Sequence, residues 1–575
     1  MIEQLNLPFA GYNHPLWKKD NERWTTMYWK KIEKNVLNIQ KRIYKAIKAG
    51  QIGKAKKLAR LLMRSTSSII LNVRRVTQDN KGKRTAGVDG VKMLTPKQRS
   101  EMVNEIITQA KNSFEGYKAK PIRRIYVPKP NGDKRPLGIP TIKDRVIQGI
   151  VKTTLEPIWE AKFEPYSYGF RPAHSTHDAI ELIYKSLKMK QKWVLEADIK
   201  GCFDNINHEK LLDKLGGTKT QNVMIRQMLK AGIMEKQVLS ESEQGTPQGG
   251  IISPVLANIA LDGMETDLYS ELGKKYNIKE LYRKSLRLIR YADDFIVLYP
   301  DKEVIVDSKR IIQEWLSQIG LELSESKTKI TQSSEGFDFL GFNIKHYQTK
   351  FSYYTDREKS EKQKARDFKL LIKPSKKAIE KHNQAIKEIL RSSKASTQDT
   401  VIKRLTPMIR GWANYYRHQV SKKTFSNLDY QMWLKLWSWS KRRHGNKSKS
   451  WIAEKYFRTV GKRKWCFATK ANVLANHSDT KIVRHVMVRT GKSYYDGDEI
   501  YWAKRLRRGY GNISPSKAKL LKKQDGKCNY CGSQFRDSDI METHHIIEKK
   551  DGGRDEYKNL TLIHKHCHDQ LHGKK

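Results

Sequence analysis

The stretch Leu286-Arg287-Leu288-Ile289-Arg290-Tyr291-Ala292-Asp293-Asp294-Phe295-Ile296-Val297-Leu298-Tyr299 reads as two apolar strands joined by a tight turn that carries two acids. Further upstream, Trp193-Val194-Leu195-Glu196-Ala197-Asp198-Ile199 is another buried-type strand ending in an acid, followed by Gly201 and a helix capped near Asn207. Two strand ends of this kind can bring Asp198, Asp293 and Asp294 together. Like charges so close stay ionised only when compensated, and magnesium, a hard cation that prefers oxygen ligands, supplies the compensation. Two such ions roughly 3.5–4 Å apart can stabilise the attacking and leaving oxygens of a phosphoryl transfer.

The neighbouring blocks fit that chemistry. Gln244-Gly245-Thr246-Pro247-Gln248-Gly249-Gly250-Ile251-Ile252-Ser253-Pro254 opens a helix with a glycine-rich turn, which lets the backbone at Gly249 and the Gln248 side chain approach a nucleotide and a template base. Ile125 to Leu137 reads as a basic hairpin able to bring Lys129 and Arg135 onto a triphosphate. The chain has 575 residues, so several domains are expected. Its net charge is +52, from 113 Lys plus Arg against 61 Asp plus Glu, and a polyanion such as nucleic acid is the natural partner. No apolar run approaches the roughly 20 residues needed to cross a bilayer, which argues against a membrane protein. Met1 to Gly11 shows no secretory signal, so an intracellular protein is expected.

Periodicity divides the chain further. Asn21 to Val76 is helical, with Ile32, Val36, Ile39, Ile43 and Ile47 spaced by three or four and a break from Gly50 to Gly53. Short strands and helices then alternate to about Ile344. Ser360 to about Arg417 returns to basic helices, including Leu371 to Leu390 and Val401 to Tyr416. Residues 441–510 are strongly basic and interleaved with Trp451, Tyr456, Phe457, Trp465, Phe467, Tyr494, Tyr495, Tyr501 and Trp502, a composition that suits stacking on unpaired or distorted bases. After Gly511 a compact Cys/His-rich tail begins. There, Cys528-x-x-Cys531 and His564-x-x-Cys567 form two pairs with zinc-knuckle spacing, which predicts a structural Cys3His zinc site in a segment too small for its own core.

The blocks in this order resemble reverse transcriptases, and over residues 82–417 the group II intron-encoded class. The resemblance includes Ala86-Gly87-Val88-Asp89-Gly90, Pro136-Leu137-Gly138-Ile139-Pro140, Tyr168-Gly169-Phe170-Arg171-Pro172, Phe339-Leu340-Gly341-Phe342 and Arg410-Gly411-Trp412. It implies a multidomain α+β protein with a right-hand polymerase. Residues 1–81 would extend the fingers, 82–358 would form the fingers and a palm with a ferredoxin-like sheet, and 359–440 a helical thumb or maturase domain. Residues 441–510 would be a DNA-binding region. Asp198, Asp293 and Asp294 become the catalytic, magnesium-binding acids, with the Ile199 carbonyl assisting the second ion. Phe203 would press on the sugar and exclude a 2′-hydroxyl, and Lys327 would protonate the leaving pyrophosphate.

The tail, residues 511–575, resembles the HNH endonucleases, which fold as a hairpin plus helix (ββα) around one catalytic divalent ion. Glu542-Thr543-His544-His545-Ile546, Gly552-Gly553, Asn559 and His568 carry this resemblance. It implies that His545 activates water, that His544 and His568 hold the metal, and that Asn559 orients His545 through hydrogen bonds. The tail departs from the commonest pattern at His564, where a cysteine is usual, and at His544, where an aspartate is frequent; His566 or His572 could complete the metal sites.

The joint expectation is a mobility enzyme in a ribonucleoprotein. It would bind its group II intron RNA, assist splicing, nick target DNA through the tail and extend the new 3′-hydroxyl with deoxynucleoside triphosphates. The alternatives are a splicing cofactor with incidental polymerase activity and a bacterial reverse transcriptase without an intron.

Overall fold

The computed structural model describes residues 24, 27–128, 134–235, 238–240, 244–246, 249–283, 285–348, 368–507, 513–535 and 539–572. The N-terminal periodicity resolves into helices Trp29–Lys48, Ile52–Arg64 and Thr66–Arg74. The first breaks at Gly50, whose φ of +70° suits a residue without a Cβ. All three lie against helix Ile142–Glu160, which is apolar around most of its circumference and therefore central: Val146, Ile150, Val151 and Leu155 are fully buried.

In chain order the first strands are β1 (Ile122–Pro128), β2 (Lys134–Ile139), β3 (Trp193–Asp198), β4 (Ile233–Glu235) and β5 (Val238–Ser240). β2, β1, β4 and β5 form one sheet, with β1 and β2 pairing as the expected basic hairpin. Strands β6 (Arg287–Tyr291), β7 (Asp294–Tyr299) and β8 (Lys329–Gln332) join β3 in a second, antiparallel sheet of order β6-β7-β3-β8. Its central strands are buried on both faces, which explains why Phe295 to Leu298 form a continuous apolar run with no alternation. Antiparallel pairing sets Asp198 directly opposite Asp294.

Strands β9 (Phe337–Phe339), β10 (Phe342–Gln348) and β11 (Phe368–Pro374) make a third sheet. This last segment is a strand where the sequence pattern predicts a basic helix. Leu370, Ile372 and Pro374 are buried at every second position and the whole strand pairs with β10, so period two governs as far as Pro374. The helix expected from Leu371 starts at Lys376, after Ser375 caps it by accepting from the Ala378 amide at 3.2 Å. Tyr415 and Tyr416, on helix Gln398–Tyr416, tie this sheet down by donating to the Leu340 and Gly341 carbonyls at 2.9 and 3.2 Å.

Helices Lys376–Ser392, Gln398–Tyr416 and Lys422–Arg442 share a core of Ile386, Leu405, Ile409, Met432 and Leu436. That core continues without a break through Trp439, Ile452, Tyr456, Phe457 and Phe467, so the expected step at residue 440 coincides with no packing boundary. Burial corrects part of the stacking reading: Tyr456, Phe457 and Phe467 belong to this core and Tyr495 to a smaller one with Leu37 and Tyr44, whereas Trp465 is half exposed. The remainder of the segment is anchored on Asp178, buried in helix Thr176–Leu187. His485 Nε2 lies 3.0 Å from its Oδ1, to which Arg505 Nη2 and the Val488 amide donate at 2.8 Å each. Burial alone would raise the Asp178 pKa, but His485 and Arg505 hold it well below the usual carboxylate range.

The tail consists of helix Pro515–Lys523, β14 (Met541–His545), β15 (Leu560–His564) and helix Lys565–Leu571; β12 (Phe457–Val460) and β13 (Arg463–Phe467) precede it. β14 and β15 pair antiparallel and the helix follows at once, giving a hairpin plus helix. This unit rests on the N-terminal helices. Gln570 donates to the Met27 carbonyl at 3.0 Å, Lys30 to the Cys531 carbonyl at 3.0 Å, and Gln78 to Asp569 at 3.2 Å.

Candidate active sites

The acidic turn sits on a built support. The loop between β6 and β7 contains Ala292 in the left-handed region, φ +60°, a conformation that costs an L-residue roughly 1–2 kcal/mol. Close packing beneath it compensates. Arg290, fully buried, donates through Nη1 to Asn258 Oδ1 at 3.1 Å and to the Ala292 carbonyl at 3.3 Å, and Asn258 donates to the Gly169 carbonyl at 2.7 Å. The Tyr168 amide donates to the Arg290 carbonyl at 2.9 Å. A Cβ on Gly169 would lie 2.2 Å from the Ala292 nitrogen, so only glycine fits. Gly169→Ala is therefore expected to displace Asp293 and Asp294 and lower primer extension on the order of 100-fold, as misplacement of reacting groups by about 1 Å does. Primer-extension rates on soluble, folded protein check this.

Asp198 and Asp294 face each other across the β3–β7 ladder, and Lys327 Nζ donates to Asp198 Oδ2 at 2.6 Å. Asp294 is open to solvent at the strand end, but the protein packed around its carboxylate first, then the Asp293 charge and a hydrogen bond to Asp198, push it up to about 7. Asp293 is raised by burial and by Asp198, with Arg135 and Lys327 opposing. Burial and the same acids push the nearby Cys202 thiol up to about 12. These oxygen donors, only partly offset by Lys327 and Arg135, fit hard divalent cations.

Arg135 lies on β2 of the basic hairpin, near enough to act on Asp293. Ile199 is buried and bridges to Leu323, while the Asp198 carbonyl accepts from the Ser324 amide at 2.8 Å. Phe203, on the short helix Cys202–Asn205, meets the exposed ring of Phe170 edge-on at 6.1 Å. Its carbonyl accepts from the Thr246 amide, and a Cβ on Gly245 would lie 2.4 Å from the Asp204 carbonyl oxygen, which fastens the glycine-rich loop to this wall. Gly249, φ +118°, approaches the β1–β2 hairpin so closely that a Cβ would lie 2.6 Å from the Gly138 oxygen. Lys129 and Gln248 lie outside the described residues.

In the tail, one donor atom each from Cys528, Cys531, His564 and Cys567 lies within 4.8 Å of the others. His564 turns Nδ1 toward Cys531 Sγ at 3.4 Å and Nε2 toward Asp539 Oδ2 at 3.2 Å, the arrangement of a metal-binding imidazole steadied by a carboxylate. Three sulfurs and one imidazole nitrogen fit zinc.

His544, His568 and His572 form a second cluster within 4.8 Å, with His572 Nε2 3.3 Å from His544 Nδ1. His572, one of the histidines left open by the sequence, lies with His544 and His568 in this cluster. The i, i+4 spacing of His568 and His572 on one helix face is the signal that finds it. His566 points elsewhere, stacked on His564 at 4.9 Å and 3.6 Å from Glu33.

The hydrogen bonds of Asn559 run to a loop and not to the His545 ring, which corrects the expected direct contact. Its Oδ1 accepts from the Ile547 amide at 2.7 Å, and its Nδ2 donates to the Ile547 and Arg554 carbonyls at 3.0 and 3.1 Å. The partner of His545 is Asp555, which sequence reasoning missed because loop closure brings it there; its Oδ1 lies 2.6 Å from His545 Nε2.

A four-stranded sheet presenting paired acids and a hairpin-plus-helix presenting clustered histidines are the two places where the described residues gather groups suited to nucleic-acid phosphodiester chemistry. Residues 127–344 match the family described as reverse transcriptase (RNA-dependent DNA polymerase), and residues 24–106 match the N-terminal domain of reverse transcriptase. Residues 379–457 match the group II intron maturase-specific domain, and residues 528–574 the HNH endonucleases. The chain is 31% identical to protein YkfC of Escherichia coli over 51% of its own length and 84% of YkfC. It is 34% identical to the group II intron-encoded protein LtrA of Lactococcus lactis over 46% of its length, spanning about half (53%) of LtrA. To maturase-like protein 1 of Euglena gracilis it is 24% identical over 68% of its length and 76% of that protein. The chain belongs to the group II intron-encoded protein family. It is a multifunctional member, with reverse transcriptase, maturase and HNH nuclease domains.

Among the described residues, no helix is long and apolar enough to cross a membrane.

Proposed function

We propose that the chain performs target-primed reverse transcription of its own intron RNA. The single observation that carries this reading is the presence, on one folded chain, of the Asp198–Asp293–Asp294 cluster and the His544–His568–His572 cluster. A polymerase that needs a 3′-hydroxyl is joined to a nuclease able to make one.

In this reading the β6-β7-β3-β8 sheet is the palm, the β1–β2 hairpin belongs to the fingers, and the helices from Lys376 to Arg442 form the thumb and maturase surface. Asp198, Asp293 and Asp294 hold two magnesium ions, which when bound supply charge stabilisation for the attacking and leaving oxygens. The Ile199 carbonyl assists at the second ion. Arg135, with Lys129, binds the triphosphate, and Gly249, with Gln248, lines the nucleotide and template pocket. Phe203 excludes a 2′-hydroxyl, and Lys327 delivers a proton to pyrophosphate. In the tail, Cys528, Cys531, His564 and Cys567 hold structural zinc, His544, His568 and His572 hold the nuclease ion, and His545 takes a proton from water. The large positive charge serves intron RNA and target DNA, whose phosphates dominate affinity without specifying sequence.

Sequencing the RNA that copurifies with the full-length protein tests the assignment. Intron RNA whose ends flank the coding sequence is expected. Recovery of no intron-like RNA would contradict the mobility reading while leaving the polymerase in place. Splicing of that RNA is expected to survive Asp293→Ala with Asp294→Ala; loss of splicing in folded protein would remove the separation of roles.

A further inference from the structure

The loop between β14 and β15 is held more firmly than an exposed connection requires. Gly553 has no room for a side chain, because a Cβ would lie 1.9 Å from the Ile547 oxygen. Its amide donates to the Glu548 carbonyl at 3.0 Å, and Gly552 turns at φ +83°. Asn559 clips both ends, bonding to Ile547 on one side and Arg554 on the other. The residue delivered by this clip is Asp555. One of its carboxylate oxygens lies 2.6 Å from His545 Nε2, and Lys549 Nζ donates to the other at 2.7 Å.

From this geometry we infer that Asp555 is the positioning residue of the nuclease base: its carboxylate takes the Nε2–H of His545, fixes the ring tautomer and leaves Nδ1 as the basic nitrogen. The inference rests on the nuclease reading given above. A carboxylate oxygen can only accept, so the proton between the two groups belongs to Nε2 and the lone pair belongs to Nδ1. Lys549 occupies the second oxygen and keeps the carboxylate from turning away. In the reaction, water gives a proton to Nδ1 and its oxygen bonds to phosphorus. The bond from phosphorus to the 3′-oxygen breaks, and that oxygen takes a proton from solvent, leaving a 3′-hydroxyl and a 5′-phosphate. Asn559 acts at one remove, through the loop that presents Asp555.

Asp555 is largely exposed, with 65% of its side chain accessible, so an ion pair there contributes little to folding and its removal leaves the tail intact. This separates a positioning role from a structural one. The test is single-turnover nicking by the full-length protein of supercoiled plasmid carrying the joined flanks of the intron. Asp555→Ala is expected to slow nicking about 30-fold, a modest share of what a positioned base contributes. DNA affinity and primer extension should stay within about twofold of wild type. Asp555→Asn, whose Oδ1 still accepts from Nε2–H, is expected to stay within about fivefold of wild type, because it keeps the tautomer. Independently of activity, nitrogen-15 spectra of histidine-labelled protein should place the His545 proton on Nε2 in wild type and spread it over both nitrogens in Asp555→Ala. His545→Gln assigns the resonance. Unchanged nicking in Asp555→Ala, equal losses in the Ala and Asn variants, or an unchanged tautomer would each overturn the inference. A wild-type protein that fails to nick would count against the nuclease reading instead, and the tautomer comparison would still decide the role of Asp555.

Discussion

Replacing Asp293 and Asp294 together by alanine is expected to abolish cDNA synthesis while leaving DNA nicking unchanged. The acids stand at the tip of a hairpin whose strands are buried, with Asp294 opposite Asp198 and pushed up to about 7 by the protein packed around its carboxylate and by its neighbours. Removing them relieves this repulsion and costs no core packing, so the sheet should be at least as stable as before. What is lost is the anchorage of the divalent ions, whose charge stabilisation is worth several kcal/mol; a loss of about 4 kcal/mol is a thousandfold in rate. The nuclease centre shares none of these residues. Primer extension on an RNA template, measured beside plasmid nicking, checks the result. A double variant that still extends primers within about tenfold of wild type would place the catalytic acids elsewhere.

Replacing Cys531 by alanine, or chelating zinc, is expected to have the opposite effect: nicking disappears and primer extension stays within about twofold of wild type. The hairpin-plus-helix is small, and Cys528 and Cys567 form part of its buried core. Metal binding in such a module supplies its folding free energy, on the order of 10 kcal/mol, and without it the unit does not close. His564 belongs to the cysteine cluster, is buried against Phe535 and ends β15, so unfolding would also disperse His544, His568 and His572. Metal content by mass spectrometry, limited proteolysis of the tail and the two activity assays report the outcome together. Persistence of nicking in metal-free Cys531→Ala protein would show that the cysteine cluster has no structural part in the nuclease.

The polymerase centre was legible because its acids sit at the ends of short apolar strands, and residues buried on both faces of a sheet leave a continuous apolar run in the sequence. The support beneath Ala292 was not. Tyr168-Gly169-Phe170 reads as a motif, but the reason for its glycine is that a Cβ there would lie 2.2 Å from the Ala292 nitrogen, in a turn more than a hundred residues away. β11 was missed because Lys369 and Lys373 flank an apolar Leu370-Leu371-Ile372 run that shows no clean alternation, and a basic edge suits a strand as well as a helix. The aromatic residues after 440 gave the right composition and only part of the right inference, since spacing alone does not separate a ring that stacks on bases from one that closes a core. In the tail, ligand spacing marked the cysteine pairs and could have marked His572. Asp555 had no such signal, because its position depends on Gly553 and Asn559 folding the loop back.

The central claim, that one chain makes a nick and then copies RNA from it, is tested most directly by a single reaction. Ribonucleoprotein purified with its intron RNA is given target DNA labelled upstream of the nick, magnesium and deoxynucleoside triphosphates. The labelled strand is expected to grow into DNA complementary to the intron. Asp293→Ala with Asp294→Ala should stop at the nick, and His545→Ala should leave the strand uncut. A nicked strand that never lengthens, while an added annealed primer is extended normally by the same particle, would contradict that claim.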